Sequence, residues 1–361
     1  AFKYIAPLVF AAAVAAALFL RPYEEETQTF PGAVPGQLRW KTRVALRGAS
    51  KPVVSEGEVF CRGTTIWGRS LVAYDAETGK RLWARSSRFT SPCVVEGVGV
   101  CNVKGNSQRV EVLDPKTGKM KWSFVAGNVF PWSICRINDT SILLWTYSGV
   151  SALDPKTGGV RWTIGKIPIS PGSWPVVSNG LALLSGYGTV HCVDAVTGTK
   201  LWDAGGGKVA QDTCAGEGLV CFVRDYATLV AVDAQNGKEK WTFGGTPMSA
   251  VASPSIAAGK VYFSGDGAVY CVDARDGAQQ WLFPLLKGGW IGSPVVSGRT
   301  VYVCSKNVLY ALDAATGAEK WQYAFDDNII WQPAVSAQFV YCVSRSGKLY
   351  AVAAEPEVPR K

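Results

Sequence analysis

Seven times in this chain an aspartate, a glycine and a tryptophan recur in one fixed frame. It first reads LVAYDAETGKRLW at 71–83 and returns at 110–122, 150–162, 190–202, 229–241, 269–281 and 309–321. The motif Asp stands at 75, 114, 154, 194, 233, 273 and 313, so the period is 39 or 40 residues throughout. A fixed period of this size marks stacked supersecondary units, and about 40 residues of strand-like sequence make one four-stranded propeller blade.

Each residue of the frame has a physical task. Apolar alternation before the Asp (Leu71, Ala73; Val269, Cys271; Leu309, Ala311) describes a half-buried strand. The Asp caps the next turn by accepting backbone N–H bonds, and the Gly takes the left-handed conformation that closes it. The Trp four residues after the Gly falls on the outermost strand, where an indole can slide between adjacent blades and bury about 150–250 Å². At about 25 cal/mol/Å² that is about 4–6 kcal/mol of gross hydrophobic drive per Trp, as an upper bound. These residues are read as structural, with no catalytic set among them.

The Trp series has eight members: Trp40, Trp83, Trp122, Trp162, Trp202, Trp241, Trp281 and Trp321. Trp40 follows no Asp-x-x-Thr-Gly turn, while KLYAVAA at 348–354 has the strand but neither turn nor Trp. The two ends complete one another. The C-terminal segment supplies three strands of a last blade and 37–42 supplies the fourth, which closes the ring and removes its open edges. A second repeat (KPVVSEGEVF, SPCVVEGVGV, WPVVSNGLAL, SPSIAAGKVYF, SPVVSGRTVYV, QPAVSAQFVY) reads as inner strand, tight turn and second strand. The expected fold is all-β: an eight-bladed β-propeller with N-to-C strand closure over 37–354, preceded by one N-terminal transmembrane helix and followed by a tail at 355–361.

That helix is read from the uncharged run YIAPLVFAAAVAAALFL at 4–20, between Lys3 and Arg21. As a helix it spans about 26 Å, close to the hydrocarbon core of a bilayer. A cleavable signal peptide and a retained anchor compete for this stretch. The anchor (1–21) is the reading adopted, with 22–36 as a tether. The charges around it (Lys3 against Arg21 with Glu24, Glu25 and Glu26) place the propeller on the non-cytoplasmic side, periplasm or lumen.

The formal charge is +9, yet many basic residues (Lys80, Arg81, Lys119, Lys121, Arg161, Lys200, Lys238, Lys240, Lys320) follow the turns. There they flank the outer strands and deter edge-to-edge pairing, so no nucleic-acid partner is read from them. Of ten cysteines, Cys93–Cys101 and Cys214–Cys221 should face each other across hairpins and could be disulfides, while buried thiols remain the other reading. Cys61, Cys101 and Cys342 share one repeat position, where Cys serves as a small apolar residue. With no C-x-x-C and a single histidine, His191, a metal site has no support.

The pattern A-x-D-x-x-T-G-x-x-x-W (Ala73, Asp75, Thr78, Gly79, Trp83; Ala311, Asp313, Thr316, Gly317, Trp321) resembles the repeat of the pyrroloquinoline-quinone (PQQ) propeller family. The resemblance covers about 37–354. It implies the eight-bladed fold, and the family holds both quinoprotein dehydrogenases and non-enzymatic propellers. The dehydrogenases are longer and typically carry a vicinal Cys-Cys pair at the cofactor, which this chain lacks. In size and completeness of repeats the chain looks more like the propeller subunits of outer-membrane barrel-assembly machinery, so no cofactor is expected. A catalytic triad could form only around His191, which replaces the Tyr of other repeats (Tyr270, Tyr310) and reads as a strand residue.

Surface remains. Trp132, Trp174, Trp290 and Trp331 fall in connections from an outer strand to the next inner strand, all on the disc face opposite the Asp turns. They either anchor a protein partner or plug the ring. The expected function is a membrane-anchored, non-enzymatic scaffold whose partners are other subunits of a membrane complex. A small PQQ-dependent oxidoreductase and a ligand or peptide sensor are the alternatives.

Overall fold

In the computed structural model, residues 27–356 are described apart from 31–33, 46–48, 66–67, 88–92, 96–98, 104–108, 126–130, 139–140, 147–148, 166–174, 187, 208, 226, 245–252 and 286–290. The proposed anchor at 1–21 therefore lies outside the described residues. Among the described residues no helix is long and apolar enough to cross a membrane.

The described strands form eight antiparallel sheets. Blade 1 shows the pattern: Val53–Ser55 innermost, then Glu58–Thr65, Gly68–Asp75 and Arg81–Ser86 on the rim. Six further four-stranded sheets follow in chain order. Each inner strand lies beside the next, and that of the last blade, Ala334–Val335, lies beside those of blades 7 and 1, so the ring is closed.

Closure occurs where the sequence places it. Leu38–Arg43 pairs with Lys348–Ala353, with Trp40 opposite Ala351 and Thr42 opposite Leu349. One strand was not expected: Gln28–Thr29, within the stretch read as a tether, pairs outside Leu38–Arg43 and makes the last blade five-stranded. Its two residues carry no periodic signal, so only the pairing reveals them.

The buried apolar residues separate into eight clusters, one between each pair of neighbouring blades, and each contains one of the eight motif Trp side chains. A four-stranded sheet buries both faces against its neighbours, so the core is eight slabs around an axis.

Candidate functional site

The frame builds a clamp between blades. In the first turn Asp75 Oδ1 accepts hydrogen bonds from Thr78 N (2.7 Å) and Thr78 Oγ1 (2.6 Å), while Gly79 N donates to Asp75 O (2.9 Å). The motif glycines all sit at positive φ, from Gly118 at 65° to Gly198 and Gly277 at 75°. Trp83 of blade 1 reaches the turn of blade 2, donating from Nε1 to Pro115 O at 2.6 Å. Its ring lies so close over Gly118 that a Cβ there would come within 2.6 Å of it. The same pairing repeats: Trp122 with Pro155 O, Trp162 with Ala195 O, Trp202 with Ala234 O, Trp241 with Ala274 O, and Trp281 with Ala314 O. Trp40 performs it for the last blade, donating to Ala76 O at 3.1 Å, and it is fully buried.

Trp321 differs, because the last blade has no Asp-x-x-Thr-Gly turn to receive it. Its Nε1 donates instead to Glu355 Oε1 at 2.9 Å, and its ring packs over Gly36 (φ +82°). Gly36 N in turn donates to Ala353 O, so two chain ends assemble the missing turn. Thr27 Oγ1 donates to Gly79 O on the same side, and the chain thus enters the disc on its turn face.

Hydrogen bonds within the turns favour the ionised form of the carboxylates at 114, 154, 194, 233, 273 and 313. Hydrogen bonds from the Thr117 hydroxyl and backbone lower the Asp114 pKa, and the Arg275 guanidinium and backbone bring that of Asp273 to about 2. One oxygen of each motif carboxylate accepts from its own turn, and the second oxygen of Asp114, Asp154, Asp233 and Asp313 meets a basic residue of the following strand.

On the opposite face, Trp331 is 39% exposed, and its Nε1 donates to Ala49 O of blade 1 at 2.6 Å. The indole therefore ties the seam between the last and first blades while leaving much of its ring outside. On the same connection, between Glu319–Ala324 and Ala334–Val335, Asp326 accepts from the Tyr350 hydroxyl and from Lys348 Nζ (2.9 Å), with Lys41 Nζ at 3.5 Å. The Tyr350 hydroxyl first, then Lys348 and Lys41, hold the Asp326 carboxyl down at about 2. Trp174 and Trp290 lie outside the described residues. Trp132 lies on the strand Pro131–Asn138, with its side chain outside the described set.

His191 pairs through Nδ1 with Asp203 Oδ1 at 2.9 Å, and its buried Nε2 has no hydrogen-bond partner. Among the described residues no hydroxyl or thiol bonds His191 Nε2 to complete a triad. Among the described residues, no group of three or more His, Cys, Asp or Glu is placed to hold a metal ion. The register sets Cys93 opposite Cys101 and Cys214 opposite Cys221, and all four stand as thiols. A further pair was not foreseen: Cys304 and Cys342, on different blades, bring their Sγ atoms to 3.7 Å.

No curated protein matches the chain in sequence. Solved structures match its fold. BamB from Moraxella catarrhalis is 15% identical with a TM-score of 0.68, over 89% of this chain and 100% of that one. The computationally designed Ika8 protein is 14% identical with a TM-score of 0.71, over 86% and 99%. Quinohemoprotein alcohol dehydrogenase from Comamonas testosteroni is 14% identical with a TM-score of 0.65, over 90% and 77%. At these identities the likeness is one of fold, and it embraces BamB, a designed protein and a dehydrogenase alike. The family model is more selective: that of outer membrane protein assembly factor BamB matches residues 31–140, 147–281 and 265–356, and the chain belongs to that family.

Proposed function

We propose that this chain is a non-enzymatic accessory or assembly subunit of a larger membrane protein complex, working on the non-cytoplasmic side and held to the membrane by the apolar run at 4–20. The observation that carries this reading is the match to the BamB assembly-factor family along most of the chain. The internal chemistry agrees with it, since the repeated polar residues are spent on turns and clamps between blades. The partner would meet the disc on the face that carries Trp331, where an indole is fixed by Ala49 O and still 39% exposed. Trp132, Trp174 and Trp290 are proposed for the same surface.

Purification from native membranes in mild detergent, followed by mass spectrometry, tests this. Stoichiometric recovery of membrane-complex subunits is expected, with Trp331→Ala weakening it. Recovery of the chain alone, with both disc faces unprotected in hydrogen exchange, would refute it.

The fold likeness to a quinohemoprotein dehydrogenase keeps a second reading in view. Addition of PQQ with a divalent cation should then give bound-quinone absorbance and dye reduction. The first reading expects neither.

A further inference from the structure

Blades 7 and 8 meet at the one interface whose Trp finds no motif turn. They are separate sheets with no ladder between them. Within their shared cluster, beside Tyr302 and Trp321, Cys304 and Cys342 are each 0% exposed. Cys304 lies on Thr300–Ser305 and Cys342 on Phe339–Val343, so a bond between them would covalently join two blades otherwise held by packing and a few hydrogen bonds such as those of Glu355. The facing cysteines of the hairpins join strands already zipped by backbone hydrogen bonds. Cys304 and Cys342 are 38 residues apart in sequence, so a link would close a long loop and remove more freedom from the unfolded chain.

We propose that Cys304 and Cys342 are a redox site: their oxidation to a disulfide locks the closing blade onto its neighbour and holds the ring shut. The oxidant is a disulfide, of small-molecule or protein origin. One cysteine thiolate attacks a sulfur of that disulfide, its S–S bond breaks, and one thiolate leaves. The second cysteine, as thiolate, attacks the mixed disulfide and displaces the other. Both cysteine sulfurs are oxidised, the oxidant is reduced to two thiols, and the two cysteine protons end on those thiols.

The surroundings set the timing. Burial and the neighbouring thiol push the Cys342 pKa well above the usual thiol value, so in the docked interface Cys342 is kept from the thiolate form the exchange needs. No oxidant reaches side chains that are 0% exposed. The bond therefore forms while blade 8 is undocked, and docking then shields it from reductants.

The full chain is denatured, reduced, and refolded with oxidised glutathione or with dithiothreitol, then trapped with N-ethylmaleimide in denaturant and peptide-mapped. After oxidative refolding, the Cys304 and Cys342 peptides are expected as one cross-linked species, two hydrogen atoms lighter than the reduced pair. Its thermal midpoint should exceed that of the reduced protein, and Cys342→Ala should abolish the difference even if Cys214 and Cys221 still join. If that variant does not fold, Cys304→Ala serves the same comparison. Folded, reduced protein should resist the same oxidant. Recovery of both cysteines alkylated, or bridged elsewhere, overturns the site. A Cys304–Cys342 bond that leaves the midpoint unmoved overturns the lock, and equal reaction of the folded protein overturns the timing.

Discussion

The indole of Trp321 rests on Gly36, a residue from the opposite end of the chain, at a distance that leaves a Cβ only 3.0 Å from the ring. In seven of the eight interfaces the glycine beneath the indole comes from a repeated turn of the next blade. Here the turn is replaced by Gly36, Ala353 and Glu355, which shows that the clamp is a geometric requirement of the ring.

The clamp makes two glycines of blade 6 separable. Gly259 (φ 71°) and Gly277 (φ 75°) share one backbone conformation, but a Cβ at Gly259 meets nothing within 4 Å and one at Gly277 meets Trp241 at 2.7 Å. Gly259→Ala should cost about 1–2 kcal/mol for left-handed backbone alone. Gly277→Ala should cost about 1–3 kcal/mol more, because the indole must move. Denaturant titration of the two variants reads the difference.

Trp40 is fully buried and hydrogen-bonded, and it lies on the strand that pairs the N-terminal side of the chain with Lys348–Ala353. Trp40→Ala should destabilise by about 3–5 kcal/mol. Protease susceptibility should then rise first in 27–43 and 348–356, as the seam opens before the other blades. Equal susceptibility in blades 4 and 5 would contradict this.

Glu355 stands in for a backbone acceptor. Glu355→Ala should cost about 1 kcal/mol through the orphaned Trp321 N–H, and Glu355→Gln, which keeps an oxygen at that place, should restore most of it. Thermal midpoints of the two variants measure the split.

Acidification should loosen the seam through Asp326. Its folded pKa is depressed to about 2, so its stabilisation is complete above the unfolded carboxylate value of about 3.9 and is lost as pH falls through about 2. The midpoint difference between wild type and Asp326→Asn should therefore shrink between about pH 4 and pH 2. A difference constant over that window would remove Asp326 from the seam.

How much could be read from the residues follows from periodicity. Asp75 to Trp321 lie in register with one another, so blade number, turn chemistry and the pairing of 37–42 with 348–354 were all legible. Gln28–Thr29, Gly36 and Glu355 were not, because each acts once and outside the repeat. The repeat marks Cys342 only as a small apolar residue and does not single out Cys304, because their proximity depends on how one sheet stacks on the next. Trp331 was legible as a residue of the face opposite the turns. That its N–H holds Ala49 O could come only from the three-dimensional arrangement.

The pairing of Leu38–Arg43 with Lys348–Ala353 also sets an order of events during synthesis. Chains leave the ribosome from the N-terminus, at about 5–20 residues per second. Leu38–Arg43 must therefore wait, with one edge unsatisfied, for a strand made more than 300 positions later. A nascent polypeptide halted just short of residue 348 would hold every earlier sheet and still be an open arc, exposing apolar faces at both tips to chaperones or to other copies of itself.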